Sequence, residues 1–166
     1  AVLADTRWGG GALAALRLAR KAGVPGVLDA DRKPPHPDLV ATASHVAFSQ
    51  QALREVSGED DPRAGLAKVA DGATNWLAVT LGKEGALFVD NGTVAHIPAF
   101  VVETVDTLGA GDVWHGAFAL ALAEGQSERA AIRFASAAAA IKCTRFGGRL
   151  GAPRRDEIER FLAANG

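Results

Sequence analysis

The chain has 166 residues, 48% of them hydrophobic and 22% charged, with a formal net charge of −1. That balance excludes a disordered chain and gives no basic footprint for nucleic acid or an acidic membrane surface. The single cysteine, Cys143, excludes an intrachain disulfide and fits a reducing, cytoplasmic setting.

A membrane span would need about 20 consecutive apolar residues, and the longest apolar run, Val113–Ala123, is interrupted by His115. The chain contains no Met, and Ala1–Ala4 enters a strand at once without a basic leader. It is therefore expected to lack a signal peptide and to be a fragment of a longer protein.

In chain order, Ala1–Ala4 reads as a short buried strand. Gly9–Gly23 reads as a helix with Leu13, Leu16 and Leu18 among alanines, stopped by Gly23. Val24–Ala30 is a second strand leading to Asp31, and the proline-rich Lys33–Pro37 is loop. A short helix at Asp38–Thr42 leads to a strand at His45–Ser49. Helices follow near Gln50–Val56 and Pro62–Asp71, then a strand at Asn75–Thr80. Gly85–Asp90 and Thr93–Pro98 alternate around Asn91-Gly92, a strong hairpin signal. Further helices are predicted at about Ala110–Glu124, Ser127–Cys143 and Arg154–Ala163. The alternation of strand and helix implies an α/β layered fold. Its sheet is mainly parallel, with an antiparallel hairpin at one edge and flanking helices. Ligand-binding loops are expected at the carboxyl ends of the strands.

One run stands out: Asp106-Thr107-Leu108-Gly109-Ala110-Gly111-Asp112, between an extended segment and a long apolar helix. A helix start carries N–H groups without intrahelical partners and the positive end of the macrodipole. Glycines let that backbone approach an anion. Read as structure alone, Asp106 or Thr107 caps the helix and the glycines turn the chain. Read as chemistry, the N–H groups of Gly109, Ala110 and Gly111 stabilise charge on a transferring phosphoryl group. Asp112 then accepts the proton of an attacking hydroxyl.

That run resembles the signature of the ribokinase-like (PfkB) carbohydrate kinases. Thr80-Leu81-Gly82-Lys83-Glu84-Gly85 resembles the nucleotide loop that precedes the signature in this family, and Arg133–Ala140 the helix that follows it. Lys142–Pro153 and the closing helix resemble the family's C-terminus. The resemblance covers essentially the whole chain but only the C-terminal half of a typical member. It therefore implies a single α/β nucleotide-binding portion over 1–166, without the N-terminal half and its lid. It also implies Asp112 as catalytic base, Gly109–Gly111 as anion hole, and ATP contacts from Thr80, Gly82, Lys83, Gly85 and Ser136. Asp106 matches a position that helps bind a monovalent cation such as K+. Magnesium, a sugar substrate and a homodimer built through the lid strands belong to the same implication.

One departure and two further candidates complete the reading. Where many members carry Asn-x-x-Glu, this chain has Ser49-Gln50-Gln51-Ala52, which puts the usual Mg2+-linked network in doubt. With Asp5-Thr6-Arg7-Trp8 at the first strand end, that tilts the resemblance toward a ketohexokinase-like or sulfofructose kinase-like branch. Arg7 is a candidate contact for a substrate hydroxyl or anion, or else a structural ion pair. Asp31 is a candidate to reach the phosphates through Mg2+, or else turn chemistry before the prolines. The four histidines lack metal-ligand spacing. Two rival readings stand beside an ATP-dependent sugar kinase: a nucleotide-binding module inactive on its own, and a ribokinase-like kinase of a nucleoside or vitamin precursor.

Overall fold

The structure, a computed structural model, describes residues 1–166 and divides into two compact units, Ala1–Ile97 and Pro98–Gly166. The first unit is a six-stranded sheet in the order of the sequence: β1 (Val2–Asp5), β2 (Gly26–Ala30), β3 (His45–Ser49), β4 (Trp76–Thr80), β5 (Ala86–Asp90) and β6 (Thr93–Ile97). Strands β1 to β4 run parallel, and β5 and β6 are antiparallel additions. The parallel neighbours are joined through α1 (Gly9–Ala22), α2 (Asp38–Thr42), and the pair α3 (Gln50–Ser57) and α4 (Pro62–Ala70).

Side chains on a strand alternate between faces. Leu28 and Ala30, Val46 and Phe48, and Leu77 and Val79 form one such face, and Leu16, Leu39, Leu53 and Leu66 of the helices pack onto it. All of them are essentially inaccessible to solvent, so each leucine contributes on the order of 1.5–3 kcal/mol of transfer free energy.

The element ends follow local chemistry. Gly23 takes a left-handed φ of +67°, and the N–H of Val24 donates to Ala19 O at 3.1 Å. Val24 is thereby part of the helix stop, and β2 starts two residues later than its hydrophobicity predicts. Asp61 caps α4, accepting from the N–H groups of Arg63 and Ala64, with Pro62 at the first helical position. The hairpin turn has Asn91 at φ +48° and Gly92 at φ +78°, both in the region its tight turn demands.

The second unit holds three helices: α5 (Ala110–Ala123), α6 (Glu128–Cys143) and α7 (Arg155–Ala164). Helices α5 and α6 pack along each other, with Trp114, Phe118 and Leu122 on one side and the buried alanines and Ile132 on the other. Trp114 and Phe118 stack with centroids 5.1 Å apart. Helix α7 is held by ion pairs of Arg145 with Glu157 and of Arg155 with Glu124. No helix is long and apolar enough to cross a membrane.

Candidate active site

In the second unit the glycine run forms a tight entry into α5. Gly109 is the residue before the helix, at φ +74° and ψ +10°, a conformation a side chain disfavours. The N–H of Ala110 donates to Thr107 O at 3.1 Å, and that of Val113 to Gly109 O at 3.0 Å. Gly111 and Asp112 lie in the first turn, where the N–H groups find no acceptor within the helix. Both residues are exposed. A methyl built on Gly109 would stand 3.8 Å from Asp112 Oδ2 and 3.6 Å from the Cα of Gly148. The Asp112 carboxylate is thus folded back over the turn, beside the start of the helix.

Expectation and structure part company at Asp106. Neither Asp106 nor Thr107 caps α5, because Gly109 occupies the cap position and no side chain accepts there. The Asp106 carboxylate instead accepts from the N–H of Leu108 at 2.9 Å and from the N–H of Gly147 at 2.9 Å. It ties the signature to the loop after α6. These two backbone donors, with the Lys142 ammonium adding to them, hold the Asp106 carboxyl below its ordinary 3.8.

Lys142 is a functional candidate that the sequence reading passed over. Its side chain is wholly buried, and its ammonium donates to Asp106 O at 2.7 Å and lies 3.3 Å from Asp106 Oδ2. The signal was present: Lys142 falls four residues after Ala138 and seven after Ala135, both buried on α6. Burial pushes up the thiol of its neighbour Cys143.

Ser136, assigned to the nucleotide, is buried on α6, where its hydroxyl accepts from the Trp114 indole N–H at 3.2 Å. His115 is buried as well, its Nδ1 at 2.8 Å from Gly111 O, so it secures the first turn of α5.

The first unit lines up the other candidates at the carboxyl ends of its parallel strands. Ser49 and Thr80 are register partners at the ends of β3 and β4. Thr80 Oγ1 donates weakly to Phe48 O at 3.4 Å. Beyond it the chain makes a single 3-10 turn over Gly82–Glu84, with Gly82 at φ +57° and Gly85 at φ +97°. The N–H of Leu81 donates to Gly85 O at 2.7 Å and closes this loop, leaving Lys83 exposed. Ser49 caps α3 through the N–H of Ala52 and donates its own hydroxyl to Asp31 O at 2.9 Å. Arg7 and Asp31 meet each other: Arg7 Nη2 lies 2.5 Å from Asp31 Oδ2, and Thr6 Oγ1 donates to Asp31 Oδ1 at 2.8 Å. The Arg7 side chain is 60% exposed, so this ion pair is worth at most about 1 kcal/mol and can open toward a ligand. Nowhere do three or more His, Cys, Asp or Glu side chains gather as a metal site.

The sequence pattern described as pfkB family carbohydrate kinase matches residues 6–155. The chain belongs to the pfkB family of carbohydrate kinases. Among pfkB relatives, Bacillus subtilis ribokinase is 46% identical over 87 residues, which are 52% of this chain and 30% of that protein. A crystal structure from Agrobacterium tumefaciens, provisionally assigned as a ribokinase, superposes with a TM-score of 0.92 at 42% identity, over 99% of this chain and 55% of that one. Arabidopsis thaliana ribokinase complexed with ribose and ATP gives a TM-score of 0.86 at 26% identity, over 97% of this chain and 55% of that one. The six-stranded mixed sheet with flanking helices is therefore the ribokinase-like fold of this family. The chain spans roughly a third to a half of these pfkB relatives.

Proposed function

We propose that this chain carries the nucleotide- and phosphoryl-handling part of an ATP-dependent kinase that acts on a sugar hydroxyl. The observation that carries the reading is the Asp112 carboxylate, exposed and folded back over the Gly109 turn at the start of α5. Membership of the pfkB family gives that geometry its chemical context.

The reaction follows from the residues. A sugar hydroxyl held beside Asp112 gives its proton to the carboxylate as its oxygen bonds to the γ-phosphorus of ATP. The bond from that phosphorus to the bridging oxygen breaks, and ADP leaves. N–H groups of Gly109, Ala110 and Gly111 face the charge that develops on the transferring group; the N–H of Ala110 must share or release its bond to Thr107 O. Mg2+ bound with the phosphates would supply charge neutralisation; Asp31, whose two carboxylate oxygens are engaged by Thr6 and Arg7, would hold it only after the exposed Arg7 pair opens. Thr80, Gly82, Lys83, Gly85 and Ser136 are assigned to the nucleotide, and Arg7 to the sugar.

Substrate choice lies among sugars, with ribose and ketoses as the first panel. The direct test is ADP release, measured on this chain and on the longest polypeptide its gene encodes, with ribose, 2-deoxyribose, fructose, nucleosides and vitamin precursors. ADP formed with a sugar supports the reading. ADP formed only with nucleosides or vitamin precursors replaces it.

A second reading is favoured by length, since the chain spans 30% of one relative and 55% of two others. On its own the chain then binds nucleotide without turnover. Saturable binding of an ATP analogue by this chain, with ADP release confined to the longer polypeptide, identifies that case.

A further inference from the structure

Every polar group of Asp106 already has a partner. Its amide donates to Cys143 O, its carbonyl accepts from Lys142, one carboxylate oxygen accepts from Leu108 N–H and the other from Gly147 N–H. The second of these oxygens also faces the Lys142 ammonium at 3.3 Å. A monovalent metal ion placed at Asp106 would need these same oxygens. The residues present do not fit such an ion, because a cation already stands there.

That cation is built in. Lys142 leaves the last turn of α6 with its side chain at 0% exposure, and a buried ammonium requires compensating oxygens, which Asp106 alone supplies twice. Space for it is also present. A methyl built on Gly151 would stand 3.5 Å from Lys142 Cε, so the side chain runs past a residue with none of its own. The adjoining Cys143 O binds the N–H groups of both Val105 and Asp106, which fixes the incoming chain to the same helix end.

We infer that the Lys142 ammonium takes the place of the monovalent cation, so that the chain itself orders the Asp106–Gly109 turn and does so independently of K+. The consequence for turnover rests on the kinase reading above. The arrangement of the cation does not.

The test is the thermal midpoint of the chain in KCl and in choline chloride at equal ionic strength, for wild type, Lys142→Ala and Lys142→Met. A ligand that binds the native state raises the midpoint saturably. Wild type should show the same midpoint in both salts. Lys142→Ala should fall in choline and recover part of the loss in K+, because the vacated oxygens then accept the ion. Lys142→Met should fall and stay unresponsive, its side chain still filling the space. Saturable stabilisation of wild type by K+ overturns the inference, and so does a Lys142→Ala protein indifferent to K+ or a Lys142→Met protein rescued by it. If Lys142→Ala does not fold in choline, its refolding yield in K+ is the readout: recovery supports the inference and no recovery overturns it. None of these readouts needs turnover. ADP release that rises with K+ in wild type removes this inference alone, and absence of ADP release with every substrate removes the kinase reading alone.

Discussion

The Asp112 carboxylate lies over the Gly109 turn: a methyl built on Gly109 would stand 3.8 Å from Asp112 Oδ2. That contact is ordinary van der Waals distance, so crowding is not what forbids a side chain there. The backbone is: φ of +74° costs an L-residue about 1–2 kcal/mol. Gly109→Ala should lower the unfolding free energy by about that amount in urea titrations and reduce turnover with it.

Gly111, two residues on, separates the two effects. It is helical, its φ is not left-handed, and a methyl there meets nothing within 4 Å. Gly111→Ala should leave stability unchanged or raise it by up to about 1 kcal/mol. It should nevertheless weaken turnover by crowding the place assigned to the phosphoryl group. Urea midpoints beside ADP-release rates read both.

The Ser136 hydroxyl accepts from the Trp114 indole N–H, and both residues are buried. Ser136→Ala leaves a buried donor without its partner, at a cost of about 1–3 kcal/mol. For a domain of this size that is roughly 2–4 °C of midpoint per kcal/mol, visible by calorimetry. Loss of affinity for an ATP analogue beyond that expected from stability would assign the hydroxyl to the nucleotide as well.

Acid sensitivity should trace to the Arg145–Glu157 pair of the same unit. Glu157 is held down at about 2, first by the Arg145 guanidinium and then by the N–H of Arg154. A carboxylate depressed in the folded state stabilises it at pH above the ordinary 4.5, and that contribution is lost as the pH falls from 4.5 to about 2. Urea midpoints should therefore drop across this window, and Glu157→Gln should flatten the slope. Asp106, also held low, keeps part of it.

Much of this architecture was legible because it is local. Asn91-Gly92 announces the hairpin, Gly23 announces a helix end, and short apolar runs alternating with helices announce the parallel sheet. The glycine run announces the helix start. Asp106 was not legible in the same way: its partner Gly147 lies 41 positions away, and only tertiary structure decides between a local cap and a distant loop. Ser49 was read for the acid it lacks at Ala52, whereas its hydroxyl caps α3 and reaches Asp31 O. Lys142 shares the buried face of α6 with Ala135 and Ala138, but a lysine is ordinarily solvated, and the counter-charge that lets it be buried, Asp106, lies 36 positions away. Arg7 was read as a ligand contact or a structural ion pair and Asp31 as a phosphate contact or turn chemistry; their pairing with each other was not legible, and it arises because parallel β1 and β2 bring their ends side by side.

The account turns on Asp112 as base, and Asp112→Asn tests it most directly, in whichever polypeptide releases ADP. The variant keeps the shape of the side chain and removes its capacity to take a proton. ADP release with the sugar should fall by about 10²–10⁴-fold, with affinity for an ATP analogue and the thermal midpoint little changed. Turnover within a few-fold of wild type would contradict the account.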